Sequence, residues 1–227
     1  MANAPIRPER IAHRGASRER RENTLPAFQL ALERGADAIE LDVHATADGV
    51  VVVHHDPAVE GRAIAGTEWM ELVGFSLPGG AHVPRLQDVL TTVGGRATVY
   101  IELKGVGCEA RAIAVAREFG QRYAVHSFVH AAIERAAAFA PDVPRGVLID
   151  RGTPHAAKIL AETVRRLKPR DVWPHHSLVD AEFAEAATAL GLRMIPWTVN
   201  EPDDARRLTA LGVAGICTDD VRLLANL

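Results

Sequence analysis

The chain has 227 residues, with 26 Lys and Arg against 29 Asp and Glu, a formal net charge of −3, 48% hydrophobic and 24% charged residues. This composition excludes a disordered or fibrous chain, and the near-neutral balance argues against a nucleic-acid partner, which would need a basic face. Cys108 and Cys217 lie far apart with no C-x-x-C spacing, the opening MANAPIRPER has no apolar signal region, and no run approaches 18 uninterrupted apolar residues. The expectation is therefore a cytoplasmic chain with plain thiols and no transmembrane segment.

Short, β-branched apolar runs alternate with helical patterns along the chain. The pattern predicts strands at Arg10–His13, Ala36–Val43, Thr98–Lys104, Arg122–Ser127, Arg145–Ile149, Asp171–Pro174, Leu192–Trp197 and Ala214–Cys217. Continuous apolar runs of this kind suit parallel strands buried on both faces. Helices are expected between them: Leu25–Arg34 after Thr24, Val179–Leu190 after Ser177, and Glu201–Leu211 after Asn200, each ending at or just before a glycine. From the third strand on, the predicted starts are 24, 23, 26, 21 and 22 residues apart. Eight strand–helix units predict a (β/α)8 TIM-type barrel, one domain over 1–227. The longer interval after the second strand must hold a short insertion, about 57–84, besides a helix near Pro84–Val93.

Val50–His54 reads as one more strand, too close to Val43 for a parallel crossover. Asp48-Gly49 is a hairpin signal. The second strand is therefore expected to overshoot the barrel rim and return antiparallel, delivering His54 and His55 beside the mouth.

Strand side chains alternate, so Glu40 and Asp42 share one face while Ile39, Leu41 and Val43 share the other. The same parity pairs Glu102 with Lys104, opposite Ile101 and Leu103. With the apolar sets packed on the helices, the charged sets point to the barrel axis, at the C-terminal strand ends where barrel enzymes build active sites. His13 and Arg14 occupy the same place on the first strand. The oxygen-only set Glu40, Asp42 and Glu102 suits a hard divalent cation such as Mg2+, Ca2+ or Mn2+. Arg14 and Lys104 suit a phosphate-bearing substrate. His13 and His55 supply a general acid and a general base, with the assignment between them open. Together these residues predict metal-assisted phosphoryl-ester cleavage.

His13-Arg14-Gly15-Ala16, Glu22-Asn23-Thr24, Glu40-Leu41-Asp42-Val43, His54-His55-Asp56-Pro57 and Ile101-Glu102-Leu103-Lys104 strongly resemble the glycerophosphodiester phosphodiesterases. Trp197-Thr198-Val199-Asn200 and Gly215-Ile216-Cys217-Thr218-Asp219 are similar to that family as well. The resemblance implies hydrolysis of small-molecule glycerophosphodiesters to glycerol 3-phosphate and an alcohol with a divalent cation. It also implies the roles given above for His13 and His55, for Glu40, Asp42 and Glu102, and for Arg14 and Lys104. Departures are Arg21 in place of a proline, the charge-rich Arg18–Arg21, His126-Ser127-Phe128 in place of Ser-Ser-Phe, and no proline after Thr218-Asp219. They leave the alcohol specificity open.

Of the adjacent pair, His55 rather than His54 is expected to face the metal. His44, His126, His175 and His176 are candidate substrate contacts, and His82, His130 and His155 are expected in solvent. Trp197 is a candidate apolar wall for glycerol or head group. Two other functions fit the same residues: a related barrel phosphodiesterase acting on lysophospholipids, whose groove would involve Trp69–Phe75, and a non-catalytic glycerophosphodiester-binding barrel.

Overall fold

The computed structural model describes residues 7–153, 155–225 and 227. In chain order the elements are β1 (Glu9–His13), α1 (Leu25–Glu33), β2 (Ala38–Ala45), β3 (Val51–Val53), β4 (Ala58–Val59), β5 (Arg62–Ala63), α2 (Trp69–Leu72) and α3 (Leu86–Val93). They continue as β6 (Thr98–Leu103), α4 (Glu109–Glu118), β7 (Tyr123–Ser127), α5 (His130–Phe139), β8 (Arg145–Ile149), α6 (Ala156–Leu167), β9 (Asp171–Pro174), α7 (Ala181–Ala189), β10 (Arg193–Met194), α8 (Pro202–Ala210) and β11 (Gly215–Thr218). Eight strands run parallel in the order β10-β9-β8-β7-β6-β2-β1-β11. The two ends of this sheet meet through Ala214 N–H to the Met194 carbonyl (2.9 Å) and Cys217 N–H to the Pro196 carbonyl (3.0 Å), so the barrel is nearly closed. No helix among the described residues is long and apolar enough to cross a membrane.

Alternation divides the strand side chains. Ile39, Leu41, Val43, Val99, Ile101 and Leu103 point outward into an apolar layer shared with α3 and α4. Ile11, Ala38, Tyr100, Leu148, Trp173 and Ile195 fill the barrel interior. The lower end of that interior is closed by polar groups. Tyr100 donates to Glu9 (2.7 Å), and Arg193 reaches both Glu9 (3.1 Å) and Asp171 (3.2 Å).

Several local starts differ from the sequence reading. Strand β10 is two residues long because Pro196, with no N–H, cannot continue the ladder. Helix α7 begins after Asp180, whose carboxylate accepts the Phe183 N–H at 2.8 Å, while Ser177 sits in a 3-10 turn. Helix α8 begins after Glu201, because the Asn200 amide is engaged by Asp219. Thr24 precedes α1 but its hydroxyl donates to the Arg21 carbonyl (2.6 Å) instead of capping.

The expected hairpin is present. β3 pairs antiparallel with β2, Val43 opposite Val53, around a turn in which Gly49 has φ 85°, a conformation that favours glycine. Beyond it, Val59, Ile64, Leu72, Leu77 and Val83 pack on Val52 as a small apolar cluster of the insertion.

Asp37, in the loop before β2, accepts from the Arg10 backbone N–H (2.9 Å) and from the Arg7 and Arg10 guanidinium groups. Burial works to raise its pKa, but these donors outweigh it and hold the carboxyl at about 2. A carboxyl depressed in the folded state stabilises above its unfolded value and loses that contribution as pH falls through the folded one. Asp37→Asn is therefore expected to lower stability by about 1 kcal/mol at pH 7, after allowing for solvent screening of this half-exposed site. The difference should vanish as pH falls from the ordinary carboxylate range to about 2, read by urea denaturation at both ends of that range.

Candidate active site

The parallel register assembles the barrel mouth. His13 of β1 is level with Glu40 of β2, Asp42 with Glu102 of β6, Glu102 with His126 of β7, and His126 with Gly146 of β8. These side chains therefore form two stacked rows on the inner face. The loop after β1 turns sharply, with Arg14 at φ 56° and Gly15 at φ 84°. A Cβ on Gly15 would stand 2.7 Å from the Ala27 carbonyl carbon, so only glycine fits against α1 there. That turn aims the Arg14 N–H at Glu40 (3.2 Å) and its guanidinium at Glu22 (3.1 Å) and Asp42 (3.1 Å).

Glu40, Asp42 and Glu102 are 3%, 0% and 7% exposed, so their charges must be answered locally, and His126 beside them is 1% exposed. Burial opposes ionisation of Asp42, but Arg14, Lys104 and the Asn23 amide (2.8 Å) keep its pKa low. Burial and the Asp42 charge push the Glu102 carboxyl up to about 8, against the pull of Lys104 at 3.4 Å. His13 is held by Asp219, 2.7 Å from Nδ1, with Nε2 4.0 Å from Glu40. A carboxylate only accepts, so Nδ1 carries the proton in this pair. Burial disfavours the charged imidazole, yet Asp219 and Glu40 raise its pKa. Asp219 is held low, at about 2, by His13, Asn200 and Ser17 against the effect of its own burial.

His13, Arg14, Glu40, His55, Glu102 and Lys104 line one cavity of about 370 Å³ at this mouth. Trp197 and Phe128 form part of its wall, in edge contact at 5.2 Å, and the Trp197 N–H donates to the Trp173 carbonyl (2.9 Å). His55 faces the cavity with Nδ1 2.8 Å from Asp56. His54 is buried beside it, and its backbone N–H donates to the Asp42 carbonyl. Asp42 does not line the cavity. Its Oδ2 contacts Asn23 and Arg14, and its Oδ1 is 3.6 Å from Lys104 with no hydrogen bond. Among the described residues, Glu40, Glu102 and His126 are the group whose ligand atoms all lie within 4.8 Å of one another.

Among the other histidines, only His126 lines this cavity. His44 contacts the His55 carbonyl (3.2 Å), and His175 engages the Ser177 hydroxyl and the edge of Trp197. Asp219 was not among the sequence candidates. Its signals there are its place in the family-like motif Gly215–Asp219 and its position directly after the last strand, on the parity that faces the axis.

The chain matches the Glycerophosphoryl diester phosphodiesterase family over residues 13–223. It is 32% identical to the glycerophosphodiester phosphodiesterase of Caldanaerobacter subterraneus subsp. tengcongensis, covering 96% of each chain. Among solved structures, the glycerophosphodiester phosphodiesterase of Agrobacterium tumefaciens superposes with a TM-score of 0.84 at 29% identity, covering 96% of this chain and 98% of that one. The Thermotoga maritima glycerophosphodiester phosphodiesterase gives 0.81 at 26% identity, covering 97% and 98%. Likeness over nearly the whole of each chain, on a barrel whose mouth gathers these residues, identifies the chain as a member of the glycerophosphoryl diester phosphodiesterase family, an enzyme that hydrolyses phosphoric diesters.

Proposed function

We propose that the chain hydrolyses small glycerophosphodiesters to glycerol 3-phosphate and an alcohol, with His13 and His55 as the acid–base pair. The observation that carries this reading is the convergence of two histidines, two glutamates, Arg14 and Lys104 on one cavity. The reading treats 1–227 as one barrel domain with its insertion at about 57–84. The buried, free thiols of Cys108 and Cys217 suit a reducing compartment such as the cytoplasm.

The residues present fit a divalent cation. Three carboxylates are buried together with Arg14 and Lys104 as the arginine and lysine beside them, burial and the Asp42 charge push the Glu102 carboxyl up to about 8, and Asp42 Oδ1 is buried without a hydrogen bond. Glu40, Asp42 and Glu102 would hold Mg2+, Ca2+ or Mn2+, which when bound supplies Lewis-acid stabilisation of charge on a phosphoryl oxygen. Arg14 and Lys104 bind the phosphoryl group and offset the negative charge that grows on it. His13, with Nδ1 tied to Asp219, presents Nε2 to the cavity, and His55 does the same with Nδ1 tied to Asp56. One of the two takes the proton of the attacking hydroxyl, and the other gives a proton to the departing alkoxide. Asp219 holds the His13 ring in one tautomer and favours its protonated form. Trp197 and Phe128 offer an apolar wall to the glycerol or the head group.

A second reading, cleavage of lysophospholipids, draws on a separate surface groove of about 730 Å³. Leu25, Pro26, Trp69, Val73 and Val83 line it, beside an exposed Met70. The short helix α2 packs Leu72 inward, so the groove lies on one flank of the insertion and shares no lining residue with the mouth. Faster turnover of glycerophosphocholine than of lysophosphatidylcholine would favour the first reading.

His13→Ala and His55→Ala should each lower kcat/KM for a glycerophosphodiester by about 10²- to 10⁴-fold, read by glycerol 3-phosphate release, with unchanged circular dichroism. Chelation should abolish turnover of the parent enzyme, and a divalent cation should restore it. Near-parental rates in either variant would remove that histidine from the mechanism, and full activity after chelation would remove the metal. Asp219→Asn should move the His13 limb of the pH–rate profile to lower pH, because it deletes the charge that raises the His13 pKa. The direction is the same whether His13 acts as acid or base.

A further inference from the structure

His126 is a buried group at the mouth that the proposed mechanism leaves without a task. It lies on β7 level with Glu102, on the inner face, and is fully enclosed. Neither ring nitrogen has a hydrogen-bond partner among the described residues. The ring is held from below and beside: Trp173 lies with its centroid 4.3 Å away, and Tyr100 is stacked at 6.4 Å. Gly146 makes this arrangement fit, since a Cβ there would stand 2.8 Å from the Trp173 Nε1 and 3.3 Å from the His126 Cβ. Packing thus fixes the imidazole with one edge toward the two glutamates.

That edge faces Glu40, with Nε2 3.4 Å from Oε1. An ordinary His–carboxylate hydrogen bond would be shorter and aligned, with the N–H pointing along the contact. Here the two atoms are near one another but not directed at one another, and the Glu102 carboxylate belongs to the same group, with ligand atoms all within 4.8 Å. Donors that share one ion through bonds of about 2.1 Å stand roughly 3.0–3.4 Å apart, and the His126–Glu40 pair stands at 3.4 Å.

We infer that the His126 imidazole is a nitrogen ligand of the divalent-cation site, joining Glu40 and Glu102, so that this site binds Co2+ or Zn2+ more tightly than its carboxylates alone would. The inference rests on the metal-dependent reading above and deepens it. The chemistry is that of donor softness. Carboxylate and water suit Mg2+ and Ca2+, whereas imidazole suits the later transition ions. A purely carboxylate site has no means to favour Co2+ beyond the general affinity order, while one imidazole placed among the carboxylates does.

The test uses Co2+ and Mg2+ as probes on the whole chain, by calorimetric titration and by proton NMR of the Co2+-loaded protein. The parent should bind Co2+ and show one hyperfine-shifted, slowly exchanging ring N–H from a coordinated imidazole. Both His126→Gln, which keeps the volume, and His126→Ser should lose that resonance. Their Co2+ affinity should fall at least about tenfold, a loss typical even of removing an outer partner. Their Mg2+ affinity should change by less than about threefold, since Mg2+ draws on the oxygen ligands. Co2+ binding to the parent without a shifted imidazole signal, or a signal that persists in the variants, would overturn the assignment of His126 and leave the metal-dependent reading standing. Failure of the parent to bind either cation would overturn both. The glutamine variant keeps the test decisive should the serine variant fail to fold.

Discussion

Everything at the mouth of this barrel follows from burying three carboxylates side by side in a space with little water. Ionised carboxylates are costly to desolvate, and placing like charges on adjacent parallel strands compounds the cost. The fold answers with cations drawn from two directions. Arg14 arrives from the turn after β1, and Lys104 from the strand end just past β6. The answer is weakest at Glu102, whose carboxyl is pushed up to about 8 by burial and by the Asp42 charge.

The supports under this row of charge are apolar and rigid. Ile11, Tyr100, Leu148, Trp173 and Ile195 form a packed floor, and the Glu9, Tyr100, Asp171 and Arg193 cluster seals the far end. Water therefore reaches the carboxylates only from the mouth. The two mouth histidines are held very differently. His13 stands on a barrel strand and is clamped by Asp219 from just past the last strand, while His55 follows the short returning strand and leans on its own neighbour, Asp56. One is part of the frame and the other belongs to the rim, where the insertion governs its surroundings.

Much of this was legible in the residues. Glu40 and Asp42 alternate with Ile39, Leu41 and Val43, and that parity alone fixes which set enters the barrel. The Asp48-Gly49 signal sufficed to bring His55 to the mouth. Local capping was harder to read because it is decided by distant competition. Asn200 looks like a helix start, but Asp219 engages its amide, and Asp180 rather than Ser177 opens α7. His126 was legible only as a candidate substrate contact, and Asp219 only as the end of a motif, for a related reason. The task of His126 depends on the β6–β7 register and on the space left by Gly146, and Asp219 meets His13 across 206 residues of sequence. Alternation says which way a side chain faces, and only tertiary packing says what it finds there.

The clamp on His13 ties the chemistry to the closing of the barrel. His13 lies on the first strand, yet the carboxylate that orients it follows the last, and that carboxylate is itself held by Asn200 from the loop before α8. A growing chain emerging from the ribosome thus displays its carboxylates, its arginine and both mouth histidines long before it can orient His13. On the proposed roles, catalytic competence arrives late, with β11 docked between β1 and the short β10. A partly built barrel, with its sheet still open and its cavity exposed to water, is in this respect an idle one.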